Sequence, residues 1–332
     1  MSTYNRSGRI IRRTKGARRL RPELFVGVGN REVVQTRIGI IGGTGLGEVL
    51  VQEAGGEPVA VDTPFGPPSA APIAARWEGA DVVFLSRHGE GHRLNPSSVP
   101  YRANIWALKK LGVGAIIASG ATGSLREDIE PGHLVICDQV IDKTCRREGS
   151  FFDDGLAVHV EFSDPFCPWL RALLAEAGRG LGTPVHRAGT YVCMEGPQFS
   201  TRAESLMHRQ WGGDLIGMTC MPEAKLAREA EICYALVALP TDYDCWRPHD
   251  PGRGQAELLR EIMGNLRRAS DAAAALIRAA LRRFDKPVGT CACREALKLA
   301  VWSERSMITA DLRQRYELLL GRYLTDGDPK GP

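Results

Sequence analysis

Two apolar runs on either side of a helix-forming segment place the strongest limit on the fold of this chain. Residues 214–218 and 232–239 have the length and composition of buried strands. Residues 221–231 between them are rich in Ala, Lys, Leu, Arg and Glu, with Pro222 near the start, which favours a helix. Strand, helix and strand in this order predict a βαβ unit with function at the carboxyl ends of its strands.

Polar residues follow both runs and are the first candidates for a functional site. Thr219 follows the first run, and Asp242 and Asp244 follow the second. Acids in this position either cap the next element or carry chemistry at the edge of the sheet. The spacing alone leaves both interpretations open.

Three more short apolar runs end in small, hydroxyl-bearing or basic residues. They are residues 38–41 before Gly42-Gly43-Thr44-Gly45, residues 82–85 before Ser86-Arg87-His88-Gly89, and residues 115–118 before the segment 119–125. Glycines let backbone N–H groups approach an anion, and Arg and His can bind phosphate through a planar fork and a ring N–H. The first loop matches neither GxGxxG nor GK[ST]. Three such turns at one edge of a sheet nevertheless predict a shared anion site.

The rest of the chain reads as helices, one further strand and a long loop. Residues 134–141 predict a strand, and helices are predicted over residues 101–108, 168–177, 256–283, 295–299 and 311–323. Residues 142–164 form a long excursion that contains His159. Long loops in compact domains are commonly binding loops or interfaces.

The first 36 residues differ from the rest in charge. Ten basic residues lie between Arg6 and Arg37, against Glu23 and Glu32 as the only acids, although the whole chain has a formal net charge of only +4. The favoured interpretation is that these residues form a flexible arm or come from a start codon assigned upstream of the true one. Contact with nucleic acid or an anionic surface is the less favoured one. A transit peptide would contain more Ser.

The cysteines indicate a reducing compartment. There are nine of them, an odd number, and no secretory apolar segment precedes the body, so we expect a cytoplasmic protein. No apolar run is long enough to span a bilayer. Cys291-Ala292-Cys293 reads either as two free thiols at a helix start or as a redox pair, although a disulfide across one residue would be strained. No other His or Cys group has metal-ligand spacing, so no metal site is predicted.

Eight ordered motifs give the chain a family resemblance across residues 37–284. They are IGIIGGTGL (38–46), VDTPFGPPS (61–69), RHG (87–89), ANIWALK (103–109), GSLREDIEPG (123–132), EGPQFSTRAES (195–205), MTCMPEAKLA (218–227) and TDYDCW (241–246). In these motifs the chain resembles the methylthioadenosine phosphorylase branch of the trimeric purine nucleoside phosphorylase superfamily. The resemblance implies one α/β domain with a central mixed, twisted sheet flanked by helices. Residues 1–36 would be an arm, and residues 285–332 a helical extension that contains the CxC pair.

The resemblance also implies phosphorolysis, in which phosphate attacks C1′ of a nucleoside and the purine leaves. Phosphate is then a co-substrate, and neither a metal nor an organic cofactor is expected. The family assembles as a homotrimer, in some cases a hexamer. The expected partners are therefore a nucleoside, phosphate and other copies of the chain, with no membrane, and nucleic acid is disfavoured.

Site residues are carried over position by position. The resemblance assigns phosphate binding to Thr44, Arg87, His88, Gly120, Ala121 and Thr219. It places Met218 against the ribose, and Phe199 and Ser200 beside the base. The catalytic pair would be Asp242, at purine N7, and Asp244, near the amino group. The 5′-pocket would receive Leu258 and Leu259, together with His159 from a neighbouring subunit.

Asp242 indicates a 6-aminopurine. A carboxylate accepts a hydrogen bond from the amino group, or donates one to N7 when protonated. Two departures from the family pattern leave alternatives open: Gly120 replaces a hydroxyl residue, for which Ser119 could compensate, and Gln255 replaces an apolar pocket residue. The main prediction is methylthioadenosine phosphorolysis. The alternatives are a broader phosphorylase acting on adenosine or inosine, and a non-catalytic nucleoside-binding protein.

Overall fold

The computed structural model describes residues 36–43, 46–247, 254–284 and 291–324. Within these residues one mixed sheet contains the strands β1 (Arg37–Gly42), β2 (Glu57–Pro58), β3 (Ile73–Trp77), β4 (Ala80–Ser86), β5 (Val113–Ser124), β6 (Leu134–Ile136), β7 (Gln139–Asp142), β8 (Val185–His186), β9 (Thr190–Cys193), β10 (Leu215–Gly217) and β11 (Cys233–Asp242). The helices are α1 (Leu46–Ala54), α2 (Tyr101–Lys110), α3 (Pro168–Ala177), α4 (Arg202–Gln210), α5 (Cys220–Glu229), α6 (Gln255–Leu281), α7 (Ala310–Arg315) and α8 (Glu317–Leu320). Helices flank the sheet in a single α/β domain, which confirms the predicted fold class.

Four parallel strands form the centre of the sheet in the order β4, β1, β5, β11. Their carboxyl ends therefore point to the same side of the sheet. Strands β1 and β4 end together, with Gly42 level with Ser86 and Ile41 with Ala118, whereas β5 and β11 continue to Gly123 and Asp242. This is the edge at which the sequence predicts an anion site. The ends of β1 and β4 meet β5 there because β1 pairs in parallel with both of the other strands.

Strand β5 is longer than the sequence predicts. Residues 119–125 were expected to form a turn, but the strand continues to Ser124 because β11 pairs with β5 as far as Gly123, which lies opposite Asp242. The final residues of β5 also pair with β10 in the antiparallel direction. The turn prediction is therefore wrong, and Gly120 and Ala121 lie within the strand.

The predicted βαβ unit is also wrong in its pairing. Strands β10 and β11 are not neighbours, because β5 lies between them. The two strands also run in opposite directions relative to β5. The connecting helix α5 is present, at Cys220–Glu229, and packs against β11 and α2. Propensity identified the three elements, but long-range pairing with β5 decided their order.

The sheet is buried on both faces. Side chains of β5 alternate between two apolar cores: Ile116 and Ala118 pack with α5 residues on one face, and Ala115 and Ile117 pack with α6 residues on the other. Each fully buried branched aliphatic side chain contributes about 1.5–3 kcal/mol to folding. None of the described helices combines the length and apolarity needed to cross a bilayer.

The C-terminal extension packs onto this domain. Leu297, Val301, Tyr316 and Leu320 are buried in the same core as α5. The helix predicted over residues 295–299 is wrong, because Glu295 ends a short 3₁₀ helix at Ala292–Glu295 and residues 296–299 are turns. The segment 311–323 is helical but broken at Tyr316, between α7 and α8.

Two other predictions fare differently. The strand at 134–141 is divided into β6 and β7, because β6 pairs with β11 whereas β7 pairs with β9. The long loop is confirmed: residues 143–167 contain neither a helix nor a strand beyond a single bridge between Val158 and Val301. The helix α3 has the predicted bounds, and α2 and α6 differ from theirs by two residues or fewer at each end.

Candidate active site

A buried guanidinium lies at the shared edge of β1, β4 and β5. Arg87 follows β4, is fully buried, and donates from Nη1 to the carbonyl of Ser119 in β5 at 2.7 Å. A Cβ placed on Gly43, which follows β1, would lie 3.3 Å from the same Nη1. The ends of β1 and β4 and the middle of β5 therefore surround one positive charge.

The planar fork of Arg87 is occupied by Glu223 and not left open for an anion. Nε and Nη2 donate to the two carboxylate oxygens at 2.7 and 2.8 Å, and the hydroxyl of Tyr234 donates to the same carboxylate at 2.8 Å. Burial acts to lower the pKa of Arg87, but the charge and hydrogen bonds of Glu223 together outweigh burial and raise the pKa overall. A phosphate would therefore meet the outer N–H groups of Arg87, while Glu223 fixes its orientation.

His88 is held in a neutral form. Its Nδ1 lies 2.8 Å from the carbonyl of Leu94, which can only accept, so Nδ1 carries the proton. Burial, together with the charge of Arg87, lowers the pKa of His88 to about 4. The predicted ring N–H donor is thus engaged within the protein. At neutral pH Nε2 presents a lone pair, which suits a protonated phosphate oxygen or a sugar hydroxyl.

Hydroxyl groups complete this edge. Thr219, which directly precedes α5, is buried, and a Cβ placed on Gly120 would lie 3.4 Å from its Oγ1. Among the described residues, Ser119 Oγ is buried without a hydrogen-bond partner. The backbone of Met221 is not helical, with φ −111° and ψ 136°, so the regular part of α5 begins after it. Thr44, the remaining predicted phosphate ligand, lies outside the described residues.

The two acids lie at the end of β11 and are linked to each other. Asp242 Oδ1 accepts from the backbone N–H of Asp244 at 2.8 Å, and Oδ2 accepts from the hydroxyl of Thr241 at 2.7 Å. Asp244 has a positive φ of 50°, which Asp tolerates in tight turns. The acids therefore do hold the following turn, as the capping interpretation requires. They also face Gly123, whose Cβ position is 3.2 Å from Asp242 Oδ1.

The motif EGPQFSTRAES supplies the partner of Asp244. Thr201 and Glu204 form a capping box that starts α4, in which each side chain accepts from the other residue's backbone N–H. This start places the buried Ser205 in the first turns of α4, where its hydroxyl donates to Asp244 Oδ2. The motif therefore fixes the orientation of one acid.

We call the predicted anion site around Arg87, Ser119 and Gly120 the anion edge. A nucleoside can span the distance from this edge to the two acids. Gly120 lies at the anion edge and Gly123 lies beside the acids, and both glycines are in β5. Three residues of extended strand cover about 10 Å. This length accommodates a phosphate, a ribose and the five-membered ring of a purine.

Met218 lies against Gly196, near the start of the motif EGPQFSTRAES that leads into α4. Gly196 has a φ of 67°, and a Cβ there would lie only 2.5 Å from Met218 Sδ. The carbonyl of Met218 accepts from Nη1 of Arg147 at 2.6 Å. Ser200 is half-buried and accepts through its carbonyl from the thiol of Cys245 at 3.2 Å, beside Asp244. Phe199 is 84% exposed, so its ring does not yet line a closed surface.

The residues predicted to line the 5′-pocket do not come together within the described part of one chain. Leu258 and Leu259 lie in the first turn of α6, and Leu259 is 60% exposed. His159 packs edge-on against Trp302 at 4.9 Å and lies beside Cys291 and Cys293 in a cavity of about 510 Å³. It is therefore near the start of β11, whereas Asp242 is at its end.

Residues that hold the site together were missed by the sequence reading. Glu223 orients Arg87, and Arg147 ties Met218 and Met221 to the carbonyl of Glu195. Glu223 could have been found, since it is an acid in an otherwise apolar helix face that packs on a strand. Arg147 lies in the long loop, where no periodic pattern predicts a partner.

The expectation that no metal-ligand set exists overlooked a group of cysteines. The sulfur atoms of Cys167, Cys233, Cys291 and Cys293 all lie within 4.8 Å of one another. Only the last two are close in sequence, so spacing revealed the CxC pair and not the group. This cluster lies at the opposite end of β11 from the acids.

A family model and curated proteins match most of the chain. The model is described as the phosphorylase superfamily and matches residues 37–282. The S-methyl-5′-thioadenosine phosphorylase of Geobacter sulfurreducens is 48% identical over 289 residues, which cover 86% of this chain and 99% of that protein. The protein of the same name from Gloeobacter violaceus is 46% identical and covers 87% of this chain and 96% of its own.

Solved structures show the same similarity in three dimensions. A methylthioadenosine phosphorylase from an Antarctic soil metagenomic library superposes with a TM-score of 0.78 at 43% identity, covering 86% of this chain and 99% of that one. A methylthioadenosine phosphorylase from Schistosoma mansoni in complex with adenine has a TM-score of 0.74 at 32% identity, covering 81% and 100%.

Proposed function

The chain belongs to the phosphorylase superfamily and, within it, to the S-methyl-5′-thioadenosine phosphorylases, and on this premise we propose that it cleaves methylthioadenosine with phosphate. The products are adenine and 5-methylthioribose 1-phosphate. One observation from the structure carries the proposal: β5 joins an anion edge at Gly120 to an acid at Gly123. These are the two ends that phosphorolysis of a nucleoside requires.

The reaction transfers the ribose from nitrogen to phosphate. A phosphate oxygen forms a bond to C1′ while the bond from C1′ to N9 breaks and its electron pair moves into the purine. By analogy with glycoside hydrolysis, positive charge develops on the sugar and negative charge on the leaving base. Stabilising the leaving base therefore requires a proton or hydrogen bond, and the phosphate must be held on the opposite side.

Asp242 serves the leaving purine in this proposal. It donates to N7 when protonated, and Asp244 accepts from the 6-amino group and keeps Asp242 in place through its backbone N–H. Ser205 supports this role because it fixes Asp244 from α4. Phe199 and Ser200 cover the base, and Met218 lies against the ribose.

Phosphate binds at the opposite end of the site. The N–H groups around Gly120 and Ala121, the hydroxyls of Thr44 and Thr219, and the outer N–H groups of Arg87 are its donors. Ser119 replaces the hydroxyl that Gly120 lacks, which fits its buried Oγ without a partner among the described residues. His88 accepts through Nε2 from a protonated phosphate oxygen or a ribose hydroxyl.

Assembly completes the apolar end of the site. In one chain Leu259 is exposed and Leu258 is half-buried, and His159 lies near the other end of β11. We therefore include a homotrimer in the proposal, in which His159 enters the 5′-pocket of a neighbour. Phosphate is a co-substrate, so the reaction needs no organic cofactor or catalytic metal, and a cytoplasmic location completes the proposal.

The test is turnover with phosphate on methylthioadenosine, adenosine and inosine, side by side, with release of the free base followed for each. Strong preference for methylthioadenosine supports the assignment of Asp242 and the apolar 5′-side. Preference for inosine would mean that the base site is misassigned. Base release that does not depend on phosphate, or no release at all, would overturn the proposal.

Adenosine is the second candidate substrate. Gln255 is exposed at the first residue of α6, where a polar side chain favours the 5′-hydroxyl of adenosine over a methylthio group. Structures from Schistosoma mansoni carry the name adenosine/methylthioadenosine phosphorylase. The variant Gln255→Leu separates the candidates: if Gln255 admits adenosine, it lowers adenosine turnover relative to methylthioadenosine.

A further inference from the structure

The cysteine cluster gathers four thiols from three separate parts of the fold. Cys167 is the N-cap residue of α3, and Cys233 is the first residue of β11. Cys291 and Cys293 begin the C-terminal extension, before and within the 3₁₀ helix at Ala292–Glu295. All four are free cysteines, three are buried and Cys291 is half-buried. Four small core residues require no such convergence of their sulfur atoms.

The distances suit a metal better than a disulfide. All four sulfur atoms lie within 4.8 Å of one another, and the Cys167 and Cys291 sulfurs are 3.5 Å apart. A tetrahedral zinc site with Zn–S bonds of about 2.3 Å has S···S edges of about 3.8 Å. A disulfide needs a separation of roughly 2.05 Å and joins only two of the four sulfurs.

The surroundings favour thiolates. Cys167 lies at the N-terminus of the ten-residue helix α3, where the helix dipole stabilises negative charge. Arg228 lines the same cavity as Cys291 and Cys293 and places a positive charge beside the group. That charge offsets part of the net −2 of a cation with four thiolates.

We propose that Cys167, Cys233, Cys291 and Cys293 form a structural zinc site that fastens the C-terminal extension to the catalytic domain. Each thiol loses its proton to solvent as it ligates Zn²⁺, so no oxidant or reductant is required. Four protein ligands close the coordination sphere, which is typical of structural and not catalytic zinc. The cavity beside Cys291 provides an entry path. The ten residues of β11 separate the site from Asp242 by about 30 Å.

The first experiment measures metal in the untagged full-length protein, purified without chelator or added metal. We expect about one zinc per chain by mass spectrometry, and nine titratable thiols after non-reducing denaturation in chelator. A mercurial thiol reagent should release zinc in step with modification. Nine thiols without metal overturn the proposal, and so do seven or fewer, since they indicate disulfides. Iron at the same stoichiometry overturns the choice of zinc.

A pair of variants locates the metal. Cys291→Ser should lose most of the zinc and unfold at a lower temperature, with the same kcat/KM per folded chain at low temperature. Cys145→Ser, which removes an exposed cysteine outside the cluster, should keep both the zinc and the melting temperature of the wild type. Equal zinc in the two variants contradicts the site. Because zinc content is read without a substrate, this result is independent of the proposed phosphorolysis.

If Cys291→Ser does not fold, cobalt(II) exchanged into the wild type gives the same information. Four thiolates around cobalt(II) produce intense tetrahedral d–d absorption bands. Absence of these bands contradicts the site.

Discussion

The two ends of β11 carry the two groups of reactive side chains in this chain, but they are built in different ways. At the carboxyl end, Asp242 faces an edge formed by parallel strands, each of which delivers its next residues to the same place. At the amino end, Cys233 meets residues from a helix start and from an extension. The first group follows from the order of the strands, whereas the second depends on how distant segments pack. The first is therefore visible in the sequence and the second is not.

The largest expected effect comes from removing the acid at the carboxyl end. Asp242→Asn cannot protonate N7, so kcat/KM on methylthioadenosine should fall by roughly 10²–10⁴-fold, the usual scale for a lost acid–base group. The melting temperature should change little, since Asn can still accept from the backbone of Asp244. Steady-state kinetics with Asp311→Asn, an exposed acid of the extension, as control test this. Unchanged activity in Asp242→Asn would sink the N7 assignment.

The next effect is on stability. Glu223→Gln leaves the buried Arg87 without its counter-charge, and breaking such a pair costs about 3–5 kcal/mol of unfolding free energy. The exposed pair between Arg76 and Asp81 provides the matched control, because Asp81→Asn should cost less than about 1 kcal/mol. Urea unfolding measures both. Equal losses in the two variants would mean that the Arg87 pair is not the anchor of the anion edge.

The contrast between the two ends of β11 also explains which parts of the fold and the site could be predicted from the sequence. Strand ends such as Ser86-Arg87-His88 were found because an apolar run followed by small polar residues has a local signature. The turn at 119–125 was predicted wrongly because pairing with β11, more than a hundred residues away, keeps most of this segment extended as part of β5. Glu223 and Arg147 were missed because their importance comes from burial beside partners that are distant in sequence. The cysteine cluster was missed for the same reason.

The two ends of β11 should affect the pH dependence of the unfolding free energy with opposite sign. His88, at the carboxyl end, has its pKa lowered by burial and by Arg87 from 6.5 to about 4. Between pH 4 and 6.5 the unfolded chain therefore binds more protons than the folded chain. The contribution of His88 to the unfolding free energy is lost as pH falls from 6.5 toward 4. Glu229, which ends α5 near Cys233, has its pKa raised by burial to about 7 from 4.5. Its contribution is lost as pH rises from 4.5 toward 7.

Two variants read these slopes separately. The difference in unfolding free energy between wild type and His88→Gln should increase with pH between 4.5 and 6.5, and the difference for Glu229→Gln should decrease. After discounting for the solvent that still reaches His88, we expect each to change by about 1–2 kcal/mol over this range. Urea unfolding at several pH values measures both differences. Slopes of the same sign in the two variants would contradict the assigned protonation states.

The smallest effect concerns an exposed ring at the carboxyl end. Phe199 is 84% exposed, so Phe199→Ala should change the unfolding free energy by no more than about 0.5 kcal/mol. If the ring covers the base, its loss removes about 0.5–1.5 kcal/mol of stacking, which raises KM for methylthioadenosine by about two- to tenfold. Leu299→Ala is the control, because Leu299 is 71% exposed but belongs to the extension that carries the cysteines. The ring is a substrate contact only if KM rises in the first variant and not in the second. A rise in both would mean that the two ends communicate, most directly through assembly, and the contrast between them would then hold for a single chain but not for the oligomer.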